Sequence, residues 1–451
     1  MNNILARSIA LLLFAAVTTL ATTAWAAKIS FIRDAEIETT IRNYATPLFT
    51  AAGLDAEAVR VHLVNDRALN AFVAGGMNLF INTGLLMCVE SPGQLIGVIA
   101  HETGHIAGGH LARTDDALRG ASAATILSYV LGAAAAVAGS GDAAIAIIVG
   151  GQSIGRQSFL QYSRTQERSA DQFAVTTLDR TGQSSRGLLE FLEILGDQDV
   201  LPTSQQAQYA RSHPLARDRV SFLRNHVAGS RFSDVEDTPE NVIAFHRMQA
   251  KLRGFLDPTG RVLKRFPKTD TSVEARYARS VAYYRRVDIP NALAEVDSLI
   301  AEDPADPYFH ELKGQILFEN GRILEAAVSY RAAVDRLPGS PLLRVGLARA
   351  LIEAGDPAML GAARDHLETA VSLNHDNATA WRLLSIVYGR SDDPGRSALA
   401  SAEHALLTGR YKDALRFADR ADNFLPFGSP SQLRVEDIRF TAENALKKKK
   451  R

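Results

Sequence analysis

The chain contains a single cysteine, Cys88, among its 451 residues. One thiol cannot form a disulfide within the chain, so the fold must be stabilised by packed apolar cores instead. Hydrophobic residues make up 46% of the sequence, which is enough for two such cores in a chain of this length. Cys88 stands among leucine, methionine and valine residues, and we therefore predict a buried structural thiol and no nucleophile at this position.

An excess of charge of either sign is also lacking. The sequence has 50 Lys and Arg residues against 50 Asp and Glu residues, a formal net charge of zero when the histidines are neutral. Proteins that bind nucleic acid through its phosphates usually carry a basic surface. The balance of charges therefore argues against nucleic acid as a general partner.

The N-terminal apolar run, from Ile9 to Leu20, is shorter than the roughly 20 residues that a membrane-spanning helix needs. It follows a basic residue and precedes a small-x-small cleavage site, Ala-Trp-Ala at 24–26. This pattern predicts a signal peptide over residues 1–26, cleaved near Ala26, with the bacterial periplasm as the destination. A permanent membrane anchor is the alternative. No cysteine follows the run closely, which argues against a lipoprotein.

The segment His101-Glu102-Thr103-Gly104-His105 is the strongest chemical signal in the sequence. Residues four apart lie roughly 40° from each other around a helix, so both imidazoles can reach one metal ion with Glu102 beside it. The preceding residues 94–100 form a nearly continuous apolar run, which predicts a buried helix. Buried histidines without a ligand would need other polar partners, so burial favours a metal-hydrolase site over two surface histidines.

A third ligand is expected downstream, because hydrolytic zinc sites usually have three protein ligands and one position for water. His110 is too close in sequence to His105 for the metzincin pattern, and on a continuous helix it would lie roughly 180° from His101. We therefore predict that His110 supports a ligand or lies on the surface. Glu167 is the better candidate, because Glu167 and Asp171 share one helix face and can divide metal binding and histidine orientation between them. A solvated charged face is the alternative.

Three motifs in this order resemble the M48 family of zinc metallopeptidases. They are His-Glu-Thr-Gly-His at 101–105, Ser-Arg-x-x-Glu-x-x-Ala-Asp at 163–171, and Ser-His-Pro at 212–214 followed by Arg219. The resemblance implies a zinc metalloendopeptidase with one Zn²⁺ per chain. It also implies that three residues bind this ion: His101, His105 and Glu167.

Further roles follow from the same resemblance. Glu102 would be the general base that takes a proton from water and later delivers it to the leaving amine. Asp171 would hydrogen-bond a ligating histidine and orient it. His213 would stabilise the oxyanion or, in a resting state, approach the metal itself, and Arg219 would position His213.

The resemblance implies a zincin-type α+β protease domain, and we assign it to residues 27–258. Its sequence predicts a helix at 34–52, a strand at 59–64 and two short strands with a Gly-Gly turn at 71–81. The resemblance implies that such a strand borders the zinc cleft, where its edge could bind an extended substrate backbone. Residues 121–155 are apolar and nearly uncharged, which favours a lid or a membrane-touching hairpin, with true spanning as the alternative.

A connector containing Gly and Pro is expected at 259–270. Beyond it, residue types recur 34 positions apart, as in Ala292 with Ala326 and Pro304 with Pro338. These offsets resemble the tetratricopeptide repeat, in which pairs of helices stack into a solenoid. We assign such repeats to residues 271–426, with an ordinary helical bundle as the alternative.

The C-terminal residues 427–451 are expected to form a tail. Its basic end, Lys447-Lys448-Lys449-Lys450-Arg451, is predicted to be disordered and solvated. Contact of this end with anionic lipid is the alternative.

These features together predict a mainly α protein, with a small β-sheet in the protease domain and a helical solenoid after it. The combination resembles periplasmic M48 proteases that act in quality control and assembly of outer-membrane proteins. That resemblance implies two kinds of partner: unfolded or misassembled outer-membrane proteins, and the barrel-assembly machinery reached through the repeats. Peripheral membrane contact is a further expectation. The alternative function is a chaperone or adaptor for outer-membrane protein assembly whose zinc site is latent.

Overall fold

The computed structural model describes residues 30–74, 76–110, 156–196, 209, 213 and 217–449. The signal peptide expected at 1–26 and the apolar hairpin expected at 121–155 lie outside these residues. Within the described ranges, no helix combines the length and the apolar character that a membrane span requires.

The N-terminal half is an α+β domain with a small sheet. Its strands are β1 (Phe31–Ile32), β2 (Arg60–Val64), β3 (Ala71–Ala74) and β4 (Asn78–Asn82). Its helices are α1 (Ala35–Ala51), α2 (Thr83–Cys88), α3 (Pro92–Ala107), α4 (Arg156–Arg180), α5 (Arg186–Gly196), α6 (Arg217–Gly229) and α7 (Pro239–Leu256). The sheet order is β1-β2-β4-β3, with β2 and β4 parallel and each edge strand antiparallel to its neighbour.

The first helix and the strands lie where the sequence predicts them. Asp34 caps α1 by accepting a hydrogen bond from the backbone N–H of Ile37, and the helix ends just before Ala52. The strand predicted at 59–64 is β2, and the run at 71–81 forms the antiparallel pair of β3 and β4. Gly76, between those two strands, has a φ of +92°, which glycine adopts without steric cost.

One face of the sheet and the surrounding helices form the main core. Leu63, Leu79 and Ile81 contribute from the sheet, together with apolar residues of α1, α3, α4 and α5. At Gly97 of α3, a Cβ atom would lie only 2.7 Å from the Cβ of Leu188, so α3 and α5 approach closely at this point. All residues from 94 to 105 are buried, which confirms the buried helix predicted from the apolar run.

The prediction of a buried thiol at Cys88 is wrong. Cys88 is a free, exposed cysteine at the last position of α2. Leu85, Leu86 and Val89 are the neighbours that face the core. The helical turn therefore directs the thiol outward although the surrounding sequence is apolar.

The C-terminal half is a solenoid of helices in which consecutive helices pack against one another. Its helices are α8 (Thr259–Arg265), α9 (Val273–Arg285), α10 (Ile289–Glu302), α11 (Pro307–Glu319), α12 (Ile323–Arg336), α13 (Pro341–Glu353), α14 (Leu360–Leu373), α15 (Ala378–Arg390), α16 (Pro394–Leu407), α17 (Tyr411–Asp422) and α18 (Pro430–Lys449). A 3₁₀ turn at Pro357–Met359 precedes α14. The predicted fold class, mainly α with a small sheet and a helical solenoid, is confirmed.

Small residues stand where the repeat pattern places them. Ala326 and Ala333 of α12 are fully buried. At Gly314 of α11, a Cβ atom would lie 3.0 Å from the ring of Tyr330, so the close crossing of α11 and α12 leaves little room for a side chain. The repeat spacing therefore reflects helix packing.

Two expectations about the C-terminal half need correction. The connector expected at 259–270 contains α8, whose Val262 is buried. The basic tail is not disordered from Lys447 to Lys449, because these residues belong to α18. This helix buries three residues that recur at helical spacing: Val435, Ile438 and Ala442. That apolar stripe packs beside α16 and α17 and keeps the helix ordered.

Buried charges join the two halves of the molecule. Lys251 of α7 lies 2.8 Å from Asp34 and 3.4 Å from Glu36, measured from Nζ to the carboxylate oxygens. Tyr277 of α9 donates a hydrogen bond of 2.5 Å to Oε2 of Glu36. Arg247 of α7 contacts Oε1 of Glu36 at 2.7 Å. A helix of the repeats and two helices of the α+β domain thus share one set of ion pairs.

The same set extends into α11 of the repeats. Arg247 pairs with Asp306 at 2.6 Å, and Nζ of Lys251 lies 3.7 Å from Oε2 of Glu311. We call this set the interdomain ion cluster, and its members are Asp34, Glu36, Arg247, Lys251, Tyr277, Asp306 and Glu311. Outside the interdomain ion cluster, a further ion pair joins the two halves. It links Arg60 of β2 to Asp376, just before α15, at 2.7 Å.

Candidate metal centre

Helix α3 presents His101 and His105 on one buried face. Ser91 caps this helix by accepting a hydrogen bond from the backbone N–H of Gln94, and Pro92 occupies its first turn. The Nε2 atoms of the two histidines lie 3.1 Å apart. The i, i+4 spacing therefore brings both imidazoles to the same point, as the sequence predicts.

Helix α4 brings Glu167 to that point. Its Oε1 lies 3.2 Å from Nε2 of His105, and its Oε2 lies 3.3 Å from Nε2 of His101. The approach of α4 depends on Gly104, where a Cβ atom would lie 2.9 Å from the carbonyl oxygen of Ala170. The glycine inside the first motif thus sets the distance at which the second motif can meet it.

His213 completes the cluster from a different part of the chain. Its Nδ1 lies 3.1 Å from Oε1 of Glu167 and 3.3 Å from Nε2 of His101. The ring stacks on Tyr209, with 4.4 Å between the ring centroids and 19° between the ring planes. The backbone N–H of His213 donates to the carbonyl of Tyr209 at 2.7 Å. Tyr209 thus supports His213 through this stack and this hydrogen bond. The sequence did not identify Tyr209, because its position four residues before His213 is the only signal that it offers.

These donor atoms have the spacing of a tetrahedral metal site. His101, His105, Glu167 and His213 each offer one ligand atom, and the four atoms lie within 4.8 Å of one another. Tetrahedral zinc with bonds of about 2.0–2.1 Å places its donor atoms about 3.3 Å apart. The separations from His101 to His105, Glu167 and His213, and from Glu167 to His105 and His213, are 3.1 to 3.3 Å when measured to the nearer carboxylate oxygen, which is close to that value. A metal ion therefore fits among these residues.

The charge of the site also favours a cation. Three buried carboxylates, those of Glu102, Glu167 and Asp171, face one buried guanidinium, that of Arg219. Burial would raise the pKa of Glu167, but the three surrounding histidines hold that pKa well below its ordinary value. Burial would also raise the pKa of Asp171, but its hydrogen bonds to Arg219 and His101 lower it. Imidazoles bind a metal ion only in the neutral form, and in that form three ionised carboxylates face one guanidinium, so the negative charge is in excess.

Asp171 and Arg219 form hydrogen bonds and ion pairs with His101 and Glu167 at the periphery of the cluster. Oδ1 of Asp171 lies 2.9 Å from Nδ1 of His101, on the side of the ring away from Glu167. Nε of Arg219 donates to Oδ2 of Asp171 at 2.6 Å, and another guanidinium nitrogen lies 2.8 Å from Oε2 of Glu167. The structure thus places Arg219 on two carboxylates, where the sequence analysis had expected it to act on His213.

Burial and hydrogen bonding act differently on the two motif histidines. Burial would lower the pKa of His101, but hydrogen bonds to Asp171 and Glu167 raise it to about 9. Burial lowers the pKa of His105 to about 3, against the effect of Glu167. The ring of His105 is therefore neutral at pH 7 and keeps a lone pair for a metal ion.

The carboxylate of Glu102 is poised for proton transfer. The residue is completely buried, and among the described residues neither of its oxygens has a hydrogen-bond partner. Nε2 of His213 lies 3.4 Å from Oε1 of Glu102. Burial raises the pKa of Glu102 above its ordinary value. A buried carboxylate without a partner, next to three possible metal ligands, is typical of a general base that binds water.

Comparison with known proteins identifies both halves of the chain. Residues 32–227 match the model of peptidase family M48. Residues 277–341 and 317–387 match two tetratricopeptide repeat models. The chain therefore carries an M48 peptidase domain. It is a metalloprotease with C-terminal tetratricopeptide repeats.

Several curated proteins resemble this M48 protease. The beta-barrel assembly-enhancing protease of Escherichia coli K12 is 26% identical over 384 residues, which cover 83% of this chain and 76% of that protein. The protein of the same name from Yersinia pestis is 24% identical over 405 residues, covering 88% and 82%. Metalloprotease YcaL of E. coli K12 is 28% identical over 175 residues, covering 38% and 63%. Among solved structures, yeast Tom70 covers 73% of this chain and 66% of its own, with 13% identity and a TM-score of 0.33.

His110 of the M48 domain lies against the cluster, contrary to the assumption of a continuous helix. Helix α3 ends at Ala107, and Gly109 has a φ of +61°, so the chain turns back. This turn places Nδ1 of His110 3.0 Å from Nδ1 of His105. The prediction that His110 lies about 180° from His101 is wrong for this reason. The Gly-Gly pair at 108–109 is a helix-ending signal that was present in the sequence.

The small sheet packs beside the helix that carries the metal-binding motif. β3 is an edge strand and packs beside α3, the helix that carries both motif histidines. Among the described strands, β3 has a neighbour on one side only, and an edge strand of this kind can pair with an extended chain through backbone hydrogen bonds.

Proposed function

We propose that this chain is a zinc-dependent endopeptidase in which His101, His105 and Glu167 hold one Zn²⁺. The observation that carries the proposal is the convergence of these donor atoms within 4.8 Å of one another, beside the buried Glu102 carboxylate, which has no hydrogen-bond partner in the part of the chain that the structure describes. Bound zinc would supply a Lewis acid that acidifies water and polarises the scissile carbonyl. Asp171 orients His101 for this task and Arg219 keeps both carboxylates in place.

Glu102 performs the proton transfers in this proposal. Its raised pKa suits a group that takes a proton from water and returns it to the leaving amine. Nε2 of His213 lies 3.4 Å from Oε1 of Glu102, beside the group that transfers the proton. His213 can therefore donate a hydrogen bond to the oxyanion when it is turned away from the ligand atoms.

The natural substrates in this proposal are unfolded or misassembled outer-membrane proteins. Two observations support it: the name shared by the relatives, and an edge strand that can bind any extended backbone. The predicted signal peptide would deliver the chain to the periplasm, where such clients are found. The repeats would bind these clients or the barrel-assembly machinery along the solenoid surface. Peripheral contact with a membrane is part of the same proposal.

A second candidate is a chaperone or adaptor whose zinc site is latent. One observation favours it: Nδ1 of His213 lies among the donor atoms, at a distance suited to a fourth ligand. A histidine in that position would occupy the place that water needs. The two candidates differ in whether the purified protein hydrolyses peptide bonds.

Degradation of an unfolded outer-membrane barrel protein by the mature chain, from residue 27 onward, tests the first proposal. Wild type should cleave, and Glu102→Gln should keep a full complement of zinc while losing turnover by about a hundredfold or more. The exposed Glu57→Gln is a matched control and should cleave like wild type.

Zinc content distinguishes the remaining outcomes. Equal turnover by wild type and Glu102→Gln would refute the general base. Normal zinc in His101→Ala would refute the ligand assignment. Zinc binding without cleavage in the wild type would favour the latent candidate.

A further inference from the structure

The side chain of His110 is buried against His105, on the side of the His105 ring that carries Nδ1. The Nδ1 atoms of the two rings lie 3.0 Å apart, and the rings meet edge to face, with 5.0 Å between centroids and 78° between planes. His110 is 5% exposed. This contact lies on the side of His105 opposite Nε2, which faces Glu167 and His101.

The backbone around His110 fits its ring closely. The N–H of Gly108 donates to the carbonyl of Gly104 at 2.9 Å and ends the helix, and Gly109 then adopts the left-handed conformation. A Cβ atom on Gly108 would lie 2.5 Å from Nε2 of His110. The side-chain amide of Gln166 donates to the carbonyl of His110 at 3.0 Å. Helix α4 thus fixes His110 through Gln166, the neighbour of Glu167.

The direction of the hydrogen bond follows from proton counting. Two facing Nδ1 atoms at 3.0 Å need one proton between them. A neutral imidazole that offers the lone pair of Nε2 to a metal carries its proton on Nδ1. Nδ1 of His105 therefore donates, and Nδ1 of His110 accepts. His110 consequently keeps its own proton on Nε2.

We propose that His110 is a positioning residue that fixes the tautomer and ring orientation of His105 for metal binding. The proposal rests on the zinc site proposed above and adds a partner for its second histidine. Asp171 plays this part for His101 with a charged carboxylate, whereas His110 does so for His105 as a neutral acceptor. The two ligands are thus oriented by chemically different groups.

Two substitutions of His110, each placing an amide oxygen at the position of a different ring nitrogen, test this role. In His110→Asn, Oδ1 takes the place of Nδ1 and can still accept the proton of His105. In His110→Gln, Oε1 takes the place of Nε2 and cannot. We expect zinc affinity near the wild-type value for Asn and a loss of about 10- to 100-fold for Gln. The measurement is competition for zinc between the mature chain and a chromophoric chelator, with the absorption spectrum of the Co²⁺ form as a second readout.

Equal affinity in all three proteins, or an equal loss in both variants, would overturn the proposal. Circular dichroism and melting of the zinc-free chain show whether each variant folds. If His110→Gln does not fold, Gly108→Ala gives the second test, because its methyl group displaces the His110 ring and should also weaken zinc binding. Unchanged affinity there would equally overturn the proposal.

The zinc affinity of His101→Ala shows whether a failure concerns the role of His110 or the proposed zinc site on which that role rests. Normal zinc affinity in His101→Ala would mean that the metal site itself is assigned wrongly. Loss of zinc in His101→Ala together with wild-type affinity in His110→Gln would leave the site intact and refute only the role of His110.

Discussion

The ring of His213 contacts both parts of the proposed chemistry. Its Nδ1 faces Glu167 and His101, while its Nε2 faces the carboxylate of Glu102. A single ring cannot serve as a fourth ligand and as an oxyanion donor at the same moment. The residue is held by a stack on Tyr209, so a rotation of the ring or a shift of its segment would be needed to exchange the two roles.

Replacing His213 with alanine should raise peptide hydrolysis if its ring blocks the position of water. We expect an increase of about tenfold with zinc still bound, because a closed state that holds about nine tenths of the molecules would be removed. Initial rates on an unfolded protein substrate, with zinc quantified in the same samples, provide the measurement. A fall in rate would instead support the oxyanion role, and an unchanged rate would exclude latency by this residue.

At the scale of secondary structure, the crossing of α3 and α4 builds the metal centre. One helix supplies both histidines and the other supplies Glu167 and Asp171, and Gly104 allows the two backbones to approach. The spacing of the motif residues therefore has two structural effects. It places ligands on the same face, and it keeps a small residue where the helices touch.

A methyl group at Gly104 should separate these helices. Gly104→Ala would place Cβ 2.9 Å from the carbonyl oxygen of Ala170, so we expect a loss of about 1–3 kcal/mol in the free energy of unfolding and weaker zinc binding. Gly361→Ala is the control, because a Cβ there meets no atom within 4 Å. Urea denaturation and chelator competition measure the two effects. If Gly104→Ala and Gly361→Ala had the same free energy of unfolding and the same zinc affinity, the role of the α3–α4 crossing would be contradicted.

Features encoded by short-range patterns were predictable from the sequence. The apolar run before His101 and the small residues near Ala326 reflect local packing and are confirmed, and the strand predicted at 59–64 is confirmed as β2, although burial along it does not alternate. The sequence left two positions open for His110, beside a ligand or on the surface, and could not decide between them because the outcome depends on where α3 ends and on a left-handed residue at Gly109. The partners of Arg219 were missed because 48 residues separate it from Asp171, and no periodicity specifies a contact at that distance.

At the scale of the whole molecule, the interdomain ion cluster is the feature that no sequence pattern predicted. Its charges come from three separate stretches of chain, a fourth stretch adds the hydroxyl of Tyr277, and all meet only after both halves have folded. Carboxylates outnumber cationic groups in it, and burial raises the pKa of Glu311 to about 8 even though Lys251 opposes the shift. The junction therefore holds a proton at neutral pH.

This proton should make the stability of the junction depend on pH. The pKa of Glu311 is higher in the folded protein than its ordinary value of 4.5, so its stabilising contribution is complete below pH 4.5 and is lost as pH rises through 8. The change amounts to about 1.4 kcal/mol per pH unit at most. Between about pH 5 and pH 8, we expect the free energy of unfolding of wild type to fall relative to that of Glu311→Gln.

Urea denaturation at several pH values measures this difference. Glu319→Gln lies on the exposed side of the same helix and serves as the control, which should follow wild type at every pH. Parallel curves for wild type and Glu311→Gln would show that Glu311 does not hold the proton.

The ion cluster also bears on how a captured client could reach the catalytic centre. Lys251 and Arg247 link α7 to the repeats through ion pairs, which restrain the solenoid relative to the domain that holds the metal site. In the proposed function, a polypeptide bound by the repeats is cleaved only where its unfolded segment is long enough to reach from the solenoid to the metal site. Clients with long unfolded segments would then be cleaved, and clients with short unfolded ends would not.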